Sequence, residues 1–144
     1  MLHSLITERI IVLQDEASAL APDENLQIVK MSDPDFIRRS AGGAATADSM
    51  GNMTIHIDLN RATEYILAHE LMHVILHRSG WPQMYTMISG DMEGKRLADD
   101  IDNLVDHVVM HGRLFDMGFN VNEYRENMVN GFSPTFDFPA PKMA

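Results

Sequence analysis

The ten residues from Ala68 to His77, AHELMHVILH, place three histidines and one glutamate in a run that is otherwise apolar. A run this hydrophobic must be covered. Asn60 as a cap and Gly80 with Pro82 as stops predict a helix around it, from about Arg61 to Ser79. Imidazole and carboxylate are costly to bury unless they are hydrogen-bonded or meet a cation. Whatever this chain folds into has to wrap that helix and still give its polar groups something to bind.

His69 and His73 are four residues apart, one helical turn, with about 6 Å of rise and both side chains on one face. Two imidazoles so placed can share one zinc ion at about 2.0–2.1 Å. Glu70 lies about 100° round the helix from His69, off the ligand axis but within reach of a water beside the ion. This is the division of labour in H-E-x-x-H: two ligands, His69 and His73, and a general base, Glu70. The composition gives about 0.02 chance matches to that pattern. His77 would sit about 12 Å from His69 along a continuous helix, too far to bind the same ion. It is read as structural, at the helix end.

A third donor has to come from elsewhere. There are no cysteines, so a thiolate site and a disulfide scaffold are both excluded. The segment LADDIDNLVDHVVMH, in a helix predicted from about Lys95 to Met117, offers the candidates. Its apolar stripe is Leu97, Ile101, Leu104, Val105, Val108 and Phe115, opposite a face of Asp99, Asn103, Asp106, His107 and Met110. Asp106 lies between apolar residues at the edge of that stripe, where a carboxylate wants a cation, and is the expected third ligand. His107 is its rival and Asp102 follows. The losers, or Asn103, could orient an imidazole. His111 and Tyr85 are candidates for donating a hydrogen bond to an oxyanion.

The remaining chain supplies a frame. Leu2 to Leu20 has apolar residues at helical spacing and reads as an amphipathic helix rather than a leader peptide. LQIVK (Leu26 to Lys30) and MTIHID (Met53 to Asp58) read as two strands that pair. If the second borders the cleft, a peptide could add to its edge, with His56 on it but given no task. SDPD breaks the first strand, and RRSAGGAATADSMGN reads as a loop or weak edge segment. NEYRENMVNGF suggests a last short helix, and 133–144 an irregular Pro-rich tail. The 144 residues, of which 45% are apolar, fit one α+β domain over 1–144 with its core at about 26–117. Twelve methionines fit adaptable core filling. The net charge of −10 argues against nucleic acid and anionic membrane surfaces as partners. No apolar run approaches the roughly 18 residues of a membrane span, so the expected setting is cytoplasmic.

AHELMHVILH, preceded by a strand and followed by an acidic helix, resembles the zincin superfamily of metallopeptidases. Within it the likeness is closest to the small bacterial and phage-borne proteins of the ImmA/IrrE type, whose H-E-x-x-H-x-x-x-H segment is matched by His69, Glu70, His73 and His77. The resemblance covers about Met53 to Met117. It implies a small α+β domain, one zinc ion and cleavage of a protein such as a repressor. That family usually takes its third ligand from a glutamate on the next helix, whereas no glutamate occurs here between Glu93 and Glu123. The expectation is therefore a zinc peptidase acting on a protein or peptide, with His69, His73 and Asp106 as ligands and Glu70 as base. The competing expectations are a zincin-fold regulatory protein with a structural metal, and a hydrolase of a non-peptide amide or ester.

Overall fold

A computed structural model describes residues 2–81 and 91–123. The predicted last helix, the 133–144 tail and Tyr85 lie outside the described residues. After a 3₁₀ turn at Leu2–Leu5, the elements are α1 (Glu8–Leu20), β1 (Leu26–Lys30), α2 (Pro34–Arg39), β2 (Gly43–Ala47), β3 (Met53–Ile57), α3 (Glu64–Arg78) and α4 (Met92–Asp116). The fold is α+β: a three-stranded mixed sheet packed on helices, ordered β1-β3-β2. β1 runs parallel to β3 with Leu26 opposite Met53, and β2 runs antiparallel with Ala45 opposite Ile55.

β3 is central. Met53, Ile55 and Ile57 are buried, whereas Thr54 and His56 are only half-buried, as the period of two in a half-covered strand requires. α3 lies over the buried face and is apolar nearly all round, because the sheet, α1 and α4 each cover part of it. Ile10, Leu13 and Ala17 of α1 complete one side of the core, and Met110, Leu114 and Phe119 another. A polar clasp joins the starts of α1 and α3: Arg9 donates to both carboxylate oxygens of Glu64, at 3.1 and 2.7 Å, and Thr7 donates to the same carboxylate.

Three local expectations change. The cap of α3 is Thr63, whose hydroxyl accepts from the Ile66 N–H, not Asn60. Residues 58–62 form a turn first, because the Asp58 carboxylate binds the Asn60 N–H at 3.0 Å and the Arg61 Nε at 2.6 Å. SDPD ends β1 but also starts α2, with Asp33 as cap and Pro34 in the first turn. The largest change is in α4. Its apolar stripe faces outward and its polar face meets α3: Leu104, Val108 and Phe115 are exposed, whereas Met110 and Leu114 are buried and Asp106 and His107 partly so. Among the described residues no helix is long and apolar enough to cross a membrane.

Candidate metal centre

The site forms where α3 packs against α4, beside β2, an edge strand among the described residues. On α3, one turn separates His69 from His73, and their Nε2 atoms are 3.2 Å apart. From α4, His107 brings its ring to 4.8 Å from that of His69 and 5.3 Å from that of His73. One ring nitrogen from each of the three lies within 4.8 Å of the others, the arrangement a shared ion requires. Two nitrogens bound at about 2.0–2.1 Å to a tetrahedral ion stand about 3.3 Å apart, so the His69–His73 pair already has the spacing. Neutral imidazoles suit zinc and several other transition ions, and the donor set fits such an ion.

Burial keeps these rings neutral. The His69 side chain is 7% exposed. Desolvation, then the neighbouring imidazoles of His73, His107 and His111, hold it well below the usual histidine range. Burial brings His73 down to about 4, and burial with the nearby His73 and His111 brings His107 down to about 4. Nitrogens that stay unprotonated at neutral pH keep their lone pairs available to a metal.

Glu70 is 8% exposed, and burial pushes its carboxyl up to about 7, against the hydrogen bond from the Ala45 backbone. That bond comes from β2, a segment with no hydrophobic period. Its small residues are why α3 can come so close. A Cβ on Gly43 would stand 2.9 Å from Ile66 Cγ2 and 3.0 Å from Glu70 Cγ. This edge strand, read from sequence as a loop or weak edge segment, is the part of the site that pattern reasoning undervalued. Its only signal is the density of Gly and Ala from Gly42 to Ala47.

A cleft of about 420 Å³ opens over Glu70 and His73, walled by Ala44, Ala45 and Ala47 of β2 and by Trp81, Asn103 and Asp106. Asp106, the expected third ligand, stands in this wall and is not in the three-histidine cluster; Asp102 is not in it either. Burial and then the charge of Asp102 raise its carboxyl, opposed by a hydrogen bond from the Trp81 indole. His111 stacks parallel to His107 at 5.8 Å and lies 6.2 Å from His69, near the cluster without joining it. His77 is exposed at the end of α3 and lines the outer cleft.

His56 is away from the site. It shares a hydrogen bond with the Thr46 hydroxyl at 3.0 Å and meets the edge of Phe36. β3 is the middle strand and reaches the cleft only through Met53, so the edge strand beside the cleft is β2 rather than MTIHID.

Comparisons with protein-family models, curated proteins and solved structures return no match to this chain. The site therefore stands on its own geometry. The clustered histidines and the α+β frame are consistent with a generic zincin-like metal-binding fold.

Proposed function

We propose that this chain is a zinc-dependent hydrolase of the zincin type that cleaves peptide bonds. The observation that carries the reading is the place of Glu70: a buried carboxyl poised near neutral pH, adjacent in sequence to one cluster histidine and opening on the same cleft as another. A catalytic base works best with a pKa near the working pH, and a carboxylate with only a packing role gains nothing from this position.

In this reading His69, His73 and His107 hold the ion, with His107 in the role the sequence gave to Asp106. A divalent ion held there supplies Lewis acidity, polarising the carbonyl under attack and making water acidic enough to react. The protein's own part falls to Glu70, which takes the proton from the attacking water and returns it to the leaving amine. The Ala45 N–H fixes one Glu70 oxygen, and Gly43 leaves room for the side chain. β2 presents an edge beside the cleft on which an extended peptide can lie. The narrower ImmA/IrrE-type reading, with a protein as substrate, is supported by His77 completing H-E-x-x-H-x-x-x-H and by a donor from the following helix.

A second reading has one observation in its favour. His111 lies 6.2 Å from His69 ring to ring and Asp106 lines the same cleft as His73, and a fourth donor from either would make a closed, structural ion. Glu70→Gln separates the two. A hydrolase variant keeps one zinc per chain and loses peptide cleavage by about 100-fold or more. Wild-type protein that binds zinc but cleaves no peptide ends the hydrolase reading, and a variant that retains full cleavage removes Glu70 as its base.

A further inference from the structure

The outward face of α4 is the largest feature the site does not use. The helix has 25 residues, yet only Ala98, Met110 and Leu114 are buried. About a quarter-turn round the helix from His107, Leu97, Leu104, Val108 and Phe115 are 61%, 67%, 70% and 67% exposed. Half-buried Ile101 lies between them, and exposed Val105 and Val109 widen the face.

The spacing of this face is specific. Positions 97, 101, 104, 108 and 115 follow the alternating four-and-three step of a helix-pairing seam, with His111 at the one skipped place. Among the described residues nothing covers this repeat. The exposed apolar area is on the order of 500–600 Å², at the upper end of what monomers leave bare. It is most of the roughly 800 Å² that each partner contributes to a standard interface.

The face is also complementary to itself. In an antiparallel pair with its two-fold axis at the level of Asp106, Leu97 faces Phe115 of the second copy, Leu104 faces Val108, and Ile101 faces His111. Gly112 adds no bulk, since a Cβ there would meet nothing within 4 Å, so a second helix can approach closely. Charge selects the direction. A parallel pair would set Asp100, which flanks the face, level with its own copy. The antiparallel pair sets Asp100 opposite the level of Gly112 and separates it from its own copy by about 18 Å along the axis, beyond the Debye length at physiological salt.

We propose that this face of α4 is a homodimer interface, formed by antiparallel packing on α4 of a second copy. Because α4 also carries His107, the dimer braces one wall of the candidate metal site from its side.

The test is sedimentation equilibrium of the full chain from about 1 to 100 μM, across the range where a standard interface associates. The expected mass approaches twice 16.2 kDa at the upper end. Leu104→Glu with Val108→Glu should remain at the monomer mass with unchanged circular dichroism, and Val108→Leu should still associate. Because the chain has no cysteine, orientation can be read with a short bis-maleimide: a mixture of Leu97→Cys and Phe115→Cys chains should cross-link well above either chain alone. A wild type that stays monomeric throughout overturns the proposal, as does association that the double glutamate variant leaves intact. Hydrogen exchange showing Val108 protected in the monomer by another part of its own chain would overturn it as well. Equal cross-linking of each single-cysteine chain with itself would overturn the antiparallel arrangement.

Discussion

At the scale of single residues, the site sets opposite ionisation preferences side by side, and pH separates them in the metal-free protein. The Glu70 pKa is raised from 4.5 to about 7 by burial. The folded state therefore holds its proton more tightly than the unfolded chain, and this contribution to stability is present below pH 4.5 and lost as pH rises through about 7. At about 1.4 kcal/mol per pKa unit the loss is about 3 kcal/mol. The histidines act the other way. His73 falls from 6.5 to about 4, so the unfolded chain binds that proton first and stability drops as pH falls from 6.5 toward 4. In chelator-treated protein, Glu70→Gln should be more stable than wild type at pH 8, with the difference shrinking toward pH 5. Thermal melts at a series of pH values check this, and a pH-independent difference would show that Glu70 is not held in its neutral form by burial. Among these residues, His69, Glu70 and His73 were legible in the sequence because their relation depends only on helix geometry, which spacing encodes. The choice of His107 over Asp106 as the neighbour of that pair was not. It depends on how α4 is rotated about its axis.

At the scale of elements, that rotation is the instructive difference. Patterning assigns the apolar face of a helix to the core, and Leu97, Leu104, Val108 and Phe115 form such a face. Here the helix turns Asn103, Asp106 and His107 toward α3, where His69 and His73 are, and leaves the apolar stripe outside. A partly buried histidine cluster, together with an exposed apolar stripe on the same helix, defeats the rule that polar means solvated. β2 was equally hard to read, because its fitness lies in what its residues lack. Gly43→Ala makes this testable. The added Cβ would press on Ile66, Glu70 and Ile57, the last at 3.3 Å, costing about 1–3 kcal/mol as overpacking. It should displace Glu70 from the Ala45 N–H and lower cleavage about tenfold, while zinc content measured by emission spectroscopy is unchanged. Thr63→Ala addresses a simpler link. It removes the hydroxyl that caps α3 at Ile66, so a loss of about 1 kcal/mol in urea unfolding is expected, with no change in the denaturant slope.

At the scale of the whole molecule, the frame that carries the site is joined by ion pairs outside the histidine cluster. The α+β class, β1, β3 and the long helices could be read from the sequence, since each declares itself by local period. The clasp of Arg9 with Glu64 and the pair between Arg113 and Glu16 could not, because their partners are 55 and 97 residues apart. Arg113 matters most for function. Both of its terminal nitrogens donate to the Glu16 carboxylate, tying the C-terminal end of α4 to α1. This pair holds the Glu16 carboxyl below its ordinary value. Each side chain is 36% exposed, so solvent screening limits the pair to about 1 kcal/mol or less. That is small beside total stability but not beside the docking of a helix anchored by three buried side chains. If α4 has to be docked for His107 to complete the cluster, any loss of docking energy reduces metal affinity in proportion to the undocked population. Arg113→Ala, about a turn and a half beyond His107 and outside the metal cluster, should therefore weaken zinc binding by up to about fivefold. Glu16→Ala should do the same, and the double variant no more than either alone. Competition titration against a chelating dye measures all three. Effects that add in the double variant would mean that the two residues act separately, and that α4 is not positioned through this pair.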